Sequence, residues 1–522
     1  MIMTMKKKIY MLALAAIAAM SCNKDMLEFN PTDSGSGEEL MKEAATAITS
    51  VNGIYRSMWT AGWSTSGNTH QCFGIAAYGI AQDVMADDMI MQSQGNGWFW
   101  YDHVYNVKSQ YTSSAFRSYD VWYANYKWIA NANSIIAAKE TMQGSTADVA
   151  YVVGQAYAIR ALGYLNLATW FARPPYNPIT NIARWTDPGV PVYTEPTSIS
   201  TGGKPRENLK TVYAQIDTDI DSAIVLLGKG MEASLNKGNK SHISLYTALG
   251  IKSRACLAEG DWEGAYKAAS RVISEGSYTI GTESDLMGGM NSISNGDVMW
   301  GAGIETSEQS GAYASFFSHM DNQQGQYAKS APKLISKQLY NHIGVNDIRR
   351  AWWDPSDKES PYISKKFSFS NLQSWLGDYI YMRVEEMYFT AAEAALRMGN
   401  ENEARDIMNT VMASRNPQYN AYRYTGTHLG ATTTTWTGSL LENILIQRRI
   451  ELWGEYGRIF DVRRTGQGID RRTDDGFSEE CISTMKRNGV DISNPNTYDW
   501  VLTIPKDELD ANPNINEEDQ NP

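Results

Sequence analysis

The sequence predicts a mainly α-helical protein: tetratricopeptide-like helix pairs forming an α-α superhelix that carries a large, loop-rich insertion. Three observations lead there. Segments 245–274 and 381–415 share one pattern, an alanine-rich amphipathic stretch ending at Gly and a second stretch presenting Ala five residues later, as in Gly260 to Ala265 and Gly399 to Ala404. Earlier in the chain, large residues recur every three or four positions. Finally, 281–380 and 416–438 are rich in Gly, Ser, Asn, Thr and aromatics and show no helical period, which predicts loops with a few short strands.

Glycine best tolerates the left-handed turn that closes a helix, and small residues at a crossing let two helices approach. This Gly-to-Ala spacing is the core of a tetratricopeptide-type unit. The two units are 139 residues apart, so an insertion separates them and the array is not a plain tandem one. Phe116, Tyr119, Trp122, Tyr126, Ile129, Asn133 and Ile136 mark one earlier helix. Val152 to Phe171 marks another, which Arg173-Pro174-Pro175 must end because proline cannot continue a helix. Leu209–Leu227 reads as its partner. Between them, 174–205 holds seven of the 16 prolines and reads as an extended surface excursion.

The first 21 residues read as a leader rather than as part of the fold. Lys6, Lys7 and Lys8 precede an apolar run from Ile9 to Ala19, which is 11 residues long and too short to span a bilayer. Ala19-Met20-Ser21-Cys22 then suits cleavage before a lipid-modified thiol, with Ala19 standing where such sites usually have Leu. The competing reading is an ordinary secretory leader with a chance Cys22. Residues 22–38 are polar, contain Pro31, Gly35 and Gly37, and read as a flexible tether. The expected organisation is a leader over 1–21, the tether over 22–38 and one domain over 39–522. Within that domain, 39–280 is the N-terminal helical part, 281–380 the insertion and 381–522 the C-terminal helical part.

Loss of the leader removes three lysines and no acid, taking the formal charge from −12 to −15. An acidic chain argues against nucleic acid as a partner and against an anionic membrane face, so the lipid is the expected membrane contact. Cys72, Cys256 and Cys481 are widely spaced, form no metal-type pattern, and read as buried small hydrophobes. No HExxH, G-x-S-x-G, Walker A or Rossmann motif is present. No cofactor or metal is expected, and no catalytic residue is assigned. Arg448, Glu451, Glu455, Arg458, Asp461 and Arg464 stand three or four residues apart and read as a structural ion-pair helix, each pair contributing roughly 0.2–0.5 kcal/mol.

The strongest positive signal is aromatic. Residues 55–128 hold 17 Phe, Trp or Tyr, against 11% aromatic content overall. Those from Phe116 to Trp128 read as core. Gly95-Asn96-Gly97-Trp98-Phe99-Trp100-Tyr101 is different: a turn followed by a strand would point Trp98 and Trp100 to one side. Flat amphipathic rings suit the apolar C–H faces of a pyranose, with Asn96 and Gln94 placed to bond its hydroxyls. The competing reading makes either indole a core plug. Asp83, in Asp83-Val-Met-Ala-Asp87-Asp88, is a candidate hydroxyl acceptor at a binding rim, against a bland surface acid. Trp59 and Trp63 are further candidates, as are Tyr313, Phe316 and Phe317 with the Asp321–Gln324 stretch that follows. The candidate ligand-binding set is therefore Trp98, Trp100, Asn96, Tyr101, Asp83, Trp63, Tyr313 and Phe317.

The tail, Ile504-Pro505…Glu508…Asn512-Pro513…Gln520-Asn521-Pro522, resembles that of the SusD/RagB family of bacterial outer-membrane lipoproteins. Arg448-Arg-Ile-Glu451-Leu-Trp-Gly-Glu455…Arg458…Asp461…Arg464 is similar to the family's charged helix, with Gln447 where that motif usually begins with Glu. The resemblance implies four tetratricopeptide-like helix pairs with a long insert. It also implies a non-enzymatic nutrient-uptake role at the cell surface of the outer membrane, as in polysaccharide utilization. Such a protein binds oligosaccharide or polysaccharide and delivers it to a SusC-like TonB-dependent transporter. Lys24-Asp25 after Cys22 fits surface export. The alternative is a helical-repeat lipoprotein capturing peptide or protein.

Overall fold

The structure is a computed structural model and describes residues 37–60, 69–106, 116–198, 200–305, 315–455 and 457–522. Cys22, Trp63 and Tyr313 lie outside these residues, as does the leader.

The helices that build the frame are α1 (Ala44–Ser57), α2 (Ile75–Met85), α3 (Trp100–His103), α4 (Phe116–Ala137), α5 (Thr146–Phe171), α6 (Leu209–Lys229), α7 (Leu245–Glu259), α8 (Trp262–Glu275), α9 (Phe316–Met320), α10 (Val384–Arg397), α11 (Glu401–Met412), α12 (Leu440–Glu451), α13 (Arg458–Thr465) and α14 (Lys506–Ala511). From α4 to α8 each helix packs on the next, then α8 on α10 and α10 on α11 and α12. The fold is mainly helical with tetratricopeptide-like pairs, and the two repeat units of the sequence are α7–α8 and α10–α11.

Local signals set these helices. Ser145, Asn208, Ser244 and Asp261 cap α5, α6, α7 and α8 by accepting from Asp148, Thr211, Thr247 and Gly264 N–H. Helix α5 starts six residues before the apolar period begins, because Ser145 supplies the cap there. Gly260 closes α7 in the left-handed region at φ 78°. Helix α5 is sandwiched closely: a Cβ at Gly154 would stand 3.0 Å from Leu227 of α6, and one at Gly163 would stand 2.9 Å from Ile129 of α4. Arg160 of α5 reaches Asp219 of α6 with two bonds of 2.8 and 2.6 Å in the buried seam.

The insertion supplies most of the short strands, besides Met89–Ile90 and a hairpin of Tyr176–Asn177 with Ile182–Ala183. Val298–Ala302 pairs antiparallel with Tyr379–Arg383 across a register shift. A second, four-stranded sheet runs Met89–Ile90, Leu334–Ile335, Ile363–Ser364, Trp353–Asp354. That sheet stitches the segment after α2 to the insertion, which brings the aromatic stretch around residue 98 beside residues 319–331. Among the described residues no helix is long and apolar enough to cross a membrane. Cys72, Cys256 and Cys481 are buried, as their spacing implies.

Candidate functional site: an aromatic cluster around Trp98

The path of residues 94–103 decides which rings face outward. Gly95 and Gly97 both have positive φ, 52° and 87°, and Gly97 N–H closes a turn on Gln94 O at 2.8 Å. Gly95 is required sterically, since a Cβ there would lie 2.4 Å from Ser330 O. Phe99 also sits in the left-handed region, at φ 63°, with its N–H bonded to Gln71 Oε1 at 2.6 Å. The expected strand over Trp98–Trp100 is therefore not formed. A left-handed residue between the two tryptophans breaks the alternation, and the chain turns into α3. Trp98 stays half-buried at the surface, while Phe99 and Trp100 enter the core. Tyr101, on α3, is half-buried.

Trp98 stacks on His70, with ring centroids 4.7 Å apart and planes 17° from parallel. Tyr327 closes the third side, edge-on to Trp98 at 5.9 Å, and a 2.7 Å hydrogen bond joins its hydroxyl to His70 Nδ1. Asn96 reaches the same loop through its amide, donating to Tyr327 O at 3.4 Å, while its oxygen accepts Trp98 N–H at 3.2 Å. Beneath lies a buried aromatic floor: His319 stacks on Phe73 and meets Phe99 edge-on at 4.9 Å, and His319 Nε2 is bonded to His70 O at 2.7 Å. Arg117 locks the floor, gripping Asp102 with two bonds of 2.9 and 3.1 Å and donating to Gln71 O at 3.1 Å. Gln94, Gln323, Gln324 and Gln326 are exposed around the cluster. The arrangement offers a rigid, half-exposed indole with amide side chains at its rim.

Other candidates fall elsewhere. Asp83 is buried, accepting Gly454 N–H at 2.8 Å and Arg458 N–H at 2.6 Å, so it holds the turn before α13 instead of lining a rim. Burial pushes its pKa up to about 8 against those two bonds. Asp87 and Asp88 are not surface acids: both meet Arg449 and Arg458, because they lie in the irregular turn beyond α2. Phe317 is 1% exposed and Phe316 is also buried, so both serve the core of α9. Asp321 accepts Gln323 and Gln324 N–H and Phe369 N–H, while Asn322 bonds Lys333 O and Ser364 O. Both are braces for the insertion.

The charged stretch 448–464 is structural but is not one helix. Positive φ at Gly454 belongs to a turn that splits it into α12 and α13. Of the expected close pairs only Asp461–Arg464, at 2.8 Å, is made within the stretch. Glu451 instead receives Arg349, Arg383 and Arg415 at 3.1, 3.0 and 2.8 Å. Burial raises its pKa, but those three guanidiniums outweigh burial and hold the carboxyl well below the usual range. Among the described residues no three His, Cys, Asp or Glu side chains gather as a metal-binding group.

Two family models match the chain. One, described as the SusD family, covers residues 317–522, and the other, described as starch-binding associating with outer membrane, covers 72–257. The chain belongs to the SusD family. A search of curated proteins gives no match. Solved structures of SusD proteins share the fold along nearly the whole chain. A SusD-like carbohydrate binding protein from Bacteroides vulgatus is 24% identical, with TM-score 0.72, 91% of this chain covered and 98% of that one. A SusD superfamily protein from Bacteroides thetaiotaomicron is 24% identical, with TM-score 0.72 and coverages of 92% and 100%. Surface glycan-binding protein A from B. thetaiotaomicron, solved with laminarihexaose, is 15% identical, with TM-score 0.61 and coverages of 91% and 99%.

In this SusD-family chain, His70 and Tyr327 are the members of the cluster that sequence reasoning missed. Neither lies in a periodic element, and they stand 257 residues apart. The one signal in the sequence was the polar, glutamine-rich run Gln323-Gln324-Gly325-Gln326 just before Tyr327.

Proposed function

We propose that this SusD-family protein is a surface-exposed outer-membrane lipoprotein, anchored through Cys22, that captures an oligosaccharide and delivers it to a SusC-like TonB-dependent transporter. The observation that carries the reading is the Trp98–His70–Tyr327 cluster: a half-exposed indole, held rigid by stacking and by a hydrogen-bonded His–Tyr pair, with Asn96 and Gln94 at its edge. A pyranose presents C–H faces to such a ring and hydroxyls to such amides. The protein binds and does not hydrolyse; Asp83, Asp87 and Asp88, the acids singled out in the sequence, are internal braces. The family membership and the glycan complex of a same-fold neighbour support the ligand class. Tyr101, Trp63 and Tyr313 are proposed as further ligand contacts.

Calorimetry of the soluble chain from residue 23 onward with a panel of hexasaccharides tests capture. Expected is binding that weakens about tenfold in Trp98→Ala, with no release of shorter products. Binding that Trp98→Ala leaves untouched, or binding of peptides alone, would sink this site. Copurification of a β-barrel transporter with the full-length protein tests delivery. Mass spectrometry of the mature N-terminus tests lipidation at Cys22.

A further inference from the structure

A second aromatic cleft lies on the helical half of the molecule and shares no residue with the Trp98 cluster. It has a volume of about 300 Å³ and opens between α4, residues 193–198 and 201–203, and Glu508 of α14. That volume is at the lower end for small-molecule clefts. Trp122, Ile129 and Asn133 form its buried floor. One wall is aromatic: Tyr123 is 40% exposed, Tyr126 and Tyr193 are half-buried, and the last two rings stand perpendicular at 6.0 Å. The facing wall is Thr197, Ser198, Thr201, Gly202 and Gly203, all hydroxyls and bare backbone.

The walls are set before any ligand arrives. Asn133 donates to Tyr193 O and Glu195 O, each at 3.0 Å, and Tyr164 OH donates to Tyr193 O at 2.8 Å. Tyr126 OH donates to Pro191 O at 2.8 Å, and Asn512 Nδ2 to Lys204 O at 2.9 Å. A cleft already ordered by its own bonds loses little entropy when it binds. Polar capacity remains at its surface. The Tyr123 and Thr197 hydroxyls have no partner among the described residues. Glu508 accepts Asn512 at 2.7 Å through one oxygen, while the other receives only a long 3.4 Å approach from Trp122 Nε1.

From this geometry we infer a second saccharide subsite, resting on the glycan-capture reading above. A short run of sugar units lies with its C–H faces against Tyr123 and Tyr126. Its hydroxyls donate to the Glu508 carboxylate and exchange bonds with Thr197, Ser198 and Thr201. The lining suits a neutral saccharide, because a ring-faced wall opposite a row of hydroxyls matches a molecule that is apolar on its faces and polar on its rim.

The test uses the soluble chain from residue 23 onward and four probes: laminarihexaose, maltohexaose, cellohexaose and xylohexaose. Calorimetry is run on the parent chain, on Trp98→Ala, on Tyr123→Ala, on Ala130→Trp, which fills the cleft from a half-buried helix position, and on the Trp98→Ala/Tyr123→Ala pair. Melting temperatures check that each variant folds. Expected are two sites per chain on the bound probe, one surviving Trp98→Ala, a roughly tenfold weakening of that survivor on adding Tyr123→Ala, and its loss in Ala130→Trp. Complete loss in Trp98→Ala, with Tyr123→Ala and Ala130→Trp binding as the parent does, overturns the second subsite and leaves the Trp98 reading standing. Binding indifferent to Trp98→Ala but lost in Ala130→Trp upholds the cleft and overturns the Trp98 site. A parent chain that binds none of the probes overturns both.

Discussion

Glu451 shows how single residues are used here. It is fully buried and takes bonds from Arg349, Arg383 and Arg415, while Lys366 donates to its backbone oxygen at 2.7 Å. Removing one member of such a buried set leaves uncompensated charge in low dielectric. Glu451→Ala is therefore expected to cost about 3–5 kcal/mol, read as a fall in the urea midpoint. Trp98 belongs to the opposite kind. Half-exposed and stacked on His70, it should give up glycan affinity on truncation, by about 1.4 kcal/mol for the expected tenfold loss, while the urea midpoint moves little. The sequence exposed both residues as noteworthy. It paired Glu451 with its helical neighbours, since spacing is all that a sequence offers, whereas its partners come from three other parts of the chain.

At the scale of elements, the two repeat turns carry different loads. Gly399 has φ 89°, and a Cβ there would meet nothing within 4 Å, so Gly399→Ala should cost only the left-handed backbone penalty, about 1–2 kcal/mol. Gly260 has φ 78°, and a Cβ there would sit 2.5 Å from the Tyr176 ring. Gly260→Ala should cost more than Gly399→Ala in the same denaturation series, and equal losses would count against a packing role for Tyr176. Both glycines were legible because a helix end is a local event. The fate of 98–103 was not. Alternation of aromatics reads as a strand, but Phe99 at φ 63° and the bond from its N–H to Gln71 Oε1 turn the chain into α3.

Across the whole molecule, buried histidines and the buried Asp83 carboxyl pull acid stability in opposite directions. Burial, aided by Arg471 and Lys333, holds His103 well below its usual pKa, and burial with Lys333, His70 and Arg117 does the same for His319. Below about pH 6.5 the unfolded chain binds a proton at each site and the folded chain does not. Their stabilisation is thus present above the unfolded pKa and declines as pH falls below it. About 2 kcal/mol per histidine should be gone at pH 5 relative to pH 7. Chemical denaturation at both values checks this, and His319→Gln, if folded, should flatten the slope. A slope that His319→Gln leaves unchanged would contradict the assignment, because Asp83, with its carboxyl raised to about 8 in the fold, moves the total stability in the opposite direction.

By itself the sequence determined the main helices, the repeat turns and the aromatic enrichment, because helical period and glycine or proline chemistry act over a few residues. The family tail could be read directly for the same reason. Only the tertiary structure decided which indole faces outward, that Asp83 is internal, and that Arg449 meets Asp88 across 361 residues of chain. Those outcomes depend on long-range burial and charge pairing, where any acid could meet any base until the fold fixes the distances.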